Sequence, residues 1–147
     1  MAVLNEMIFS GSCDLYATLL EKDMISPAFS YGYSIGEDFA YNAVSGVSDD
    51  PQGVLREILA HIKVLKENGL SKEDFTRSKR VIYAEAVRAY DSTENIANDL
   101  LGAICDGFEM LSDPDVIESI TLDELEELLS ECFKEEYITL SVVTPIK

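Results

Sequence analysis

Phe29-Ser30-Tyr31-Gly32-Tyr33-Ser34-Ile35-Gly36-Glu37-Asp38-Phe39-Ala40-Tyr41-Asn42-Ala43-Val44-Ser45-Gly46-Val47 is the stretch on which the fold turns. Phe29, Tyr31, Tyr33 and Ile35 alternate with small residues, the two-residue period of a half-buried strand. Gly36-Glu37-Asp38 supplies a turn, and 39–47 reads as the partner strand of an antiparallel hairpin. The pleat then sends Phe29, Tyr31, Tyr33 and Ile35 to one side and Ser30, Gly32 and Ser34 to the other. The large set is expected to face helices carrying Ile58, Ile62, Ile82 and Leu101, because burying such a side chain stabilises by roughly 1.5–3 kcal/mol. Gly32 and Gly46 read as bulges or points of close backbone approach.

Downstream, Ser48-Asp49-Asp50-Pro51 opens a helix with an acidic cap and proline at its first position. Val54, Leu55, Ile58, Leu59, Ile62 and Leu65 form its apolar stripe, and Gly69-Leu70 ends it. Ser71, with Asp74 in the first turn, caps the next helix, which runs through Phe75, Ile82, Ala86 and Tyr90. Asp91-Ser92-Thr93 caps a helix carrying Ile96, Leu100, Leu101, Ile104 and Phe108, and Ser112-Asp113-Pro114 opens a short turn. Thr121 and Glu124 form a capping box ahead of Leu125, Leu128, Leu129, Cys132 and Phe133. Residues 137–143 alternate again and read as a final strand that joins the hairpin.

Upstream, Ala2-Val3-Leu4-Asn5-Glu6-Met7-Ile8-Phe9 reads as helix, with Val3, Leu4, Met7 and Ile8 on one stripe and no capping residue ahead of it. Ser10-Gly11-Ser12 breaks it. A second helix follows through Leu15, Leu19 and Leu20, with Ser12 or Asp14 as its cap, and Pro27 closes it. The uncapped start and a three-stranded sheet with open edges lead to the expectation that a neighbouring segment is missing. The fold class is therefore α+β: one domain over 1–147, a small antiparallel sheet of hairpin plus carboxy-terminal strand, packed against several helices.

Composition narrows the function. Of 147 residues, 28 are acidic and 11 basic, a net charge of -17. That surface repels phosphate backbones and anionic membranes, so neither nucleic acid nor membrane is an expected partner. The one dense basic stretch, Lys72, Arg77, Lys79 and Arg80, is interrupted by Glu73 and Asp74 and reads as a solvated helix face. Cys13, Cys105 and Cys132 are widely spaced and odd in number, the pattern of isolated core thiols in a reducing, cytoplasmic setting. No signal-peptide pattern opens the chain, and no apolar run is long enough to span a bilayer.

Few residues have the types or spacing for catalysis. His61 is the only histidine, lies between Ala60 and Ile62, and has no second histidine with which to build a zinc site. No cysteine lies near it in sequence to form a nucleophile pair. The acidic run Glu124, Glu126, Glu127, Glu131, Glu135 and Glu136 reads as a solvated face, and Asp49, Asp50 and Asp91 are accounted for by capping. No catalytic residue and no metal ligand are assigned. Tyr31, Tyr33 and Tyr41 are amphipathic side chains of the kind that line peptide-docking surfaces, against the plainer reading of strand packing.

Several segments, taken in order, resemble bacterial insulinase/pitrilysin-type zinc peptidases. They are 4–12 with Leu15-Tyr16, the hairpin Phe29-Ser30-Tyr31-Gly32-Tyr33, Ser45-Gly46 through Pro51, 69–75, 92–97 and 120–125. The resemblance covers nearly the whole chain and implies the carboxy-terminal part of a larger protein. Family members pair α+β halves around a peptide-holding chamber. Their zinc sits on an inverted H-x-x-E-H in the amino-terminal half, so no cofactor is expected in this chain. Carboxy-terminal halves often add an arginine and a tyrosine that hold the substrate backbone. Leu20 stands at the arginine's place and Asp23 at that of a second basic residue; Tyr31 or Tyr33 is the candidate for the tyrosine.

The resemblance implies a non-catalytic carboxy-terminal segment of a zinc-dependent endopeptidase that completes its chamber. Its partners would be the amino-terminal half and, in the parent protein, a peptide substrate. The alternative is an independent acidic interaction module with the same fold and no peptidase role. Open sheet edges also lead to the expectation of a homodimer.

Overall fold

The computed structural model describes residues 1–36, 38–106 and 114–145. Its elements are α1 (Ala2–Phe9), α2 (Asp14–Glu21), β1 (Ser30–Ile35), β2 (Ala40–Ser45), α3 (Pro51–Asn68), α4 (Lys72–Ala89), α5 (Thr93–Asp106), α6 (Pro114–Ser119) and α7 (Leu122–Cys132), then a 3-10 turn (Glu135–Tyr137). Phe108 and the cap at Ser112 and Asp113 lie outside the described residues.

α1 is the centre of the molecule. Val3, Leu4, Met7, Ile8 and Phe9 are all buried, and so is Asn5. A helix apolar on nearly every side has to be enclosed on nearly every side. α4 lies against it with small buried residues, Ser78 and Ala86, which let the two backbones approach; β1 and α2 cover other sides. Leu15 and Leu19 of α2, Ile62 of α3 and Leu125 and Leu129 of α7 complete one core with Ile25, Leu70 and Phe133.

The caps follow from local chemistry. Asp50 accepts from the Gly53 amide ahead of α3, and Ser71 accepts from Asp74 ahead of α4. Thr121 and Glu124 form the reciprocal box of α7. α2 departs from expectation: its cap is Cys13, neither Ser12 nor Asp14. The Cys13 thiol donates to the Ile8 carbonyl at 3.0 Å and accepts from the Tyr16 amide at 3.4 Å, which ties the end of α1 to the start of α2.

Two further expectations are corrected. The sheet has two strands, β1 and β2, and the carboxy-terminal strand does not join them. After the 3-10 turn, residues 138–145 form no ladder; Leu140, Val142 and Val143 are exposed. Alternation gives that segment a strand's pattern, but a strand needs an edge to pair with, and among the described residues it pairs with none. The helix behind the hairpin is chiefly α1, and Leu101 is exposed on α5.

Candidate functional site

The hairpin register pairs Tyr31 with Val44, Tyr33 with Asn42 and Ile35 with Ala40. These six residues share one face, so both candidate tyrosines point the same way, as alternation predicts. Tyr31 is half-buried. Its ring tilts against Phe9 at 6.1 Å, and its hydroxyl donates to Glu6 of α1 at 2.5 Å. Burial first, then that hydrogen bond and the Glu6 charge, raise the Tyr31 pKa well above its ordinary value. Two positions along, Asn42 accepts from the Asn5 side chain at 2.9 Å. Tyr31 and Asn42 thus fasten the hairpin to α1. Tyr33, one step nearer the turn, escapes the helix and is exposed.

The opposite face carries Ser30, Gly32, Ser34, Tyr41, Ala43 and Ser45, all exposed. Ser30 and Ser45 share a hydrogen bond of 2.9 Å across the strands. Phe39 and Tyr41, two apart in the sequence, stack at 6.0 Å in the open. The turn brings Phe39 back beside the strand: its carbonyl accepts from the Gly36 amide at 2.8 Å.

His61 projects from α3 into a small pocket of about 60 Å³ that also touches Cys13, Asp14 and Asp74. Burial lowers its pKa below the ordinary value, and Asp14 partly opposes that, so the fold favours the neutral ring. These residues do not fit a zinc ion. Cys13 is committed to backbone partners, and burial raises its thiol pKa, away from the thiolate that a metal needs. No group of three metal-ligating side chains occurs among the described residues.

Leu20 and Asp23 lie at the end of α2. Asp23 adopts a left-handed conformation with φ 55, and the amides of Asp23 and Met24 bond back to Leu20 and Leu19. This paired bonding is a Schellman turn. Asp23 therefore ends a helix, while Leu20 is partly exposed beside it. The acidic run is likewise structural in part: Glu124 closes the capping box, and Glu126 accepts from the Leu70 amide at 3.0 Å.

Residues 1–82 match the model of the peptidase M16 inactive domain. The chain is 25% identical over 148 residues to the uncharacterized zinc protease YmfH of Bacillus subtilis (strain 168), covering 99% of this chain and 34% of that protein. Its fold matches the crystal structure of a protein assigned as an M16-like peptidase from Alicyclobacillus acidocaldarius. There the TM-score is 0.82 and the identity 21%, over 89% of this chain and 32% of that one. A protein assigned as a zinc protease from Bordetella pertussis Tohama I gives a TM-score of 0.63 at 17% identity, over 86% of this chain and 72% of that one. The chain spans about a third of the length of YmfH and of the Alicyclobacillus protein.

Proposed function

The chain belongs to the M16 peptidase family, matching its inactive domain, and on that premise we propose that it serves as a non-catalytic carboxy-terminal segment of a zinc-dependent endopeptidase. Its work is to complete the chamber that holds a peptide, beside a half that carries the zinc site. The observation that carries this reading is the apolar surface left open. Leu101 is 62% exposed, Ile104 77% and Val143 95%, and the hairpin's outer edges have no ladder partner among the described residues. Folded chains seldom leave such surface and strand edges uncovered, so both favour a neighbouring segment as their cover. The zinc proteases named above are the relatives that suggest what that neighbour carries.

Two measurements test the proposal. Incubated with zinc and unstructured peptides, the chain is expected to bind no stoichiometric metal and cleave nothing. Zinc held at His61 with metal-dependent turnover overturns it. Mixed with an M16 half from the same genome that bears H-x-x-E-H, the chain is expected to form a 1:1 complex. Failure to associate points instead to an independent acidic module.

A further inference from the structure

The outer face of α4 has a charge opposite to that of the whole molecule. Three of the chain's four arginines, Arg77, Arg80 and Arg88, stand on this helix with Lys72. The four cations line an open groove of about 970 Å³, in which Val81 and Ala84 lie between them and, among the described residues, Glu73 and Glu85 are the lining carboxylates. The groove is thus locally positive in a chain of net charge -17.

Two cations of α4 have assigned work. Lys79 donates to the carbonyls of Glu118 and Ile120 at 2.7 Å each, closing the end of α6. Arg77 pairs with Asp74 at 2.8 Å. Arg80 and Arg88 are exposed, and among the described residues neither guanidinium has a carboxylate partner. Guanidinium groups match carboxylates in shape and can bind them through two parallel hydrogen bonds.

We propose that the outer face of α4 docks an extended acidic segment of a partner polypeptide, whose carboxylates pair with Arg80 and Arg88. Lys72 to Arg88 spans about 24 Å along the helix. An extended segment of roughly seven residues covers that length. A polyphosphate or an anionic membrane fits less well, because a large polyanion also meets the surrounding negative surface. A short peptide meets only the local field, since screening at physiological salt limits the reach of charge to about 8 Å. Val81 and Ala84 give the peptide's backbone a shallow apolar floor. The inference does not depend on the chamber reading.

The test is fluorescence anisotropy of a fluorescein-labelled, glutamate-rich decapeptide titrated with the 147-residue chain. Lysine-rich and serine-glycine decapeptides are the controls. Saturable binding of the acidic peptide alone is expected, weakened by added salt. The double variant Arg80→Glu/Arg88→Glu should lose at least about tenfold in affinity. Arg56→Glu, on α3 outside the groove, should leave it unchanged. Circular dichroism melting of the double variant verifies folding, which exposed side chains without partners should not disturb. The proposal is overturned if the acidic peptide shows no saturable binding at low salt, or binds the double variant equally well. It is overturned also if sedimentation shows a concentration-dependent dimer that the double variant abolishes, because a second copy then owns the groove.

Discussion

The hydroxyl of Tyr31 lies 2.5 Å from Glu6, and that contact decides what the side chain does. Its one proton goes to Glu6 and joins the hairpin to α1, so toward any other group the hydroxyl acts as an acceptor. Alternation foretold the side to which Tyr31 points, because pleating is local. Nothing local foretold Glu6, which lies 25 residues away. Tyr31→Phe removes a hydrogen bond to a charged group and leaves Glu6 without it, so a loss of about 1–3 kcal/mol in stability is expected. The pH dependence has a definite sign. The folded-state pKa is raised, so the stabilisation is complete below pH 10 and falls as pH rises past it, where the unfolded chain ionises first. Denaturant melts at pH 7 and above pH 10 should show the wild-type advantage over Tyr31→Phe shrinking at the higher pH. An undiminished advantage there would mean that folding does not raise the Tyr31 pKa.

Among the elements, what was legible was what acts within four residues. Asp50 with Pro51, Ser71 with Asp74, and Thr121 with Glu124 are local hydrogen-bond patterns, and all three caps form as read. Cys13 was missed because a thiol is an uncommon cap, and its other partner, Ile8, belongs to the preceding helix. The left-handed turn at Asp23 was missed because glycine usually marks such positions. Gly69 shows the same requirement with the usual residue. It ends α3 at φ 80 and ψ 170, a conformation nearly reserved for glycine. A Cβ there would come within 3.0 Å of the Glu126 carboxylate oxygen that accepts from the Leu70 amide. Gly69→Ala is therefore expected to cost about 1–3 kcal/mol, through backbone strain and the displaced Glu126. Chemical denaturation measures it; a change below a few tenths would show that the corner between α3 and α4 relaxes freely.

Across the whole molecule, stability is unevenly spread, and the spread follows from where the apolar surface goes. α1 is buried on nearly all sides, so its amides open only when the core does. α5 is the opposite case. Its sequence has the stripe of a packed helix, yet among its described side chains only Ala103 is buried, Ile96 is half-buried, and Leu100, Leu101 and Ile104 face outward. Periodicity shows that a face wants covering and says nothing about what covers it. The same holds for 138–145, whose alternation has the pattern of a strand but which joins no ladder among the described residues. A 14-residue helix in water is marginal without tertiary contacts. Hydrogen exchange should therefore find the α5 amides protected by orders of magnitude less than those of α1, with 138–145 almost unprotected. Adding a zinc-binding M16 half should slow exchange in both regions, and α1 should hardly change because it is enclosed already. If α5 is as protected as α1 in the chain alone, its exposed leucines are no sign of an unmet partner. The case for a covering half would then have to rest on the sheet edges.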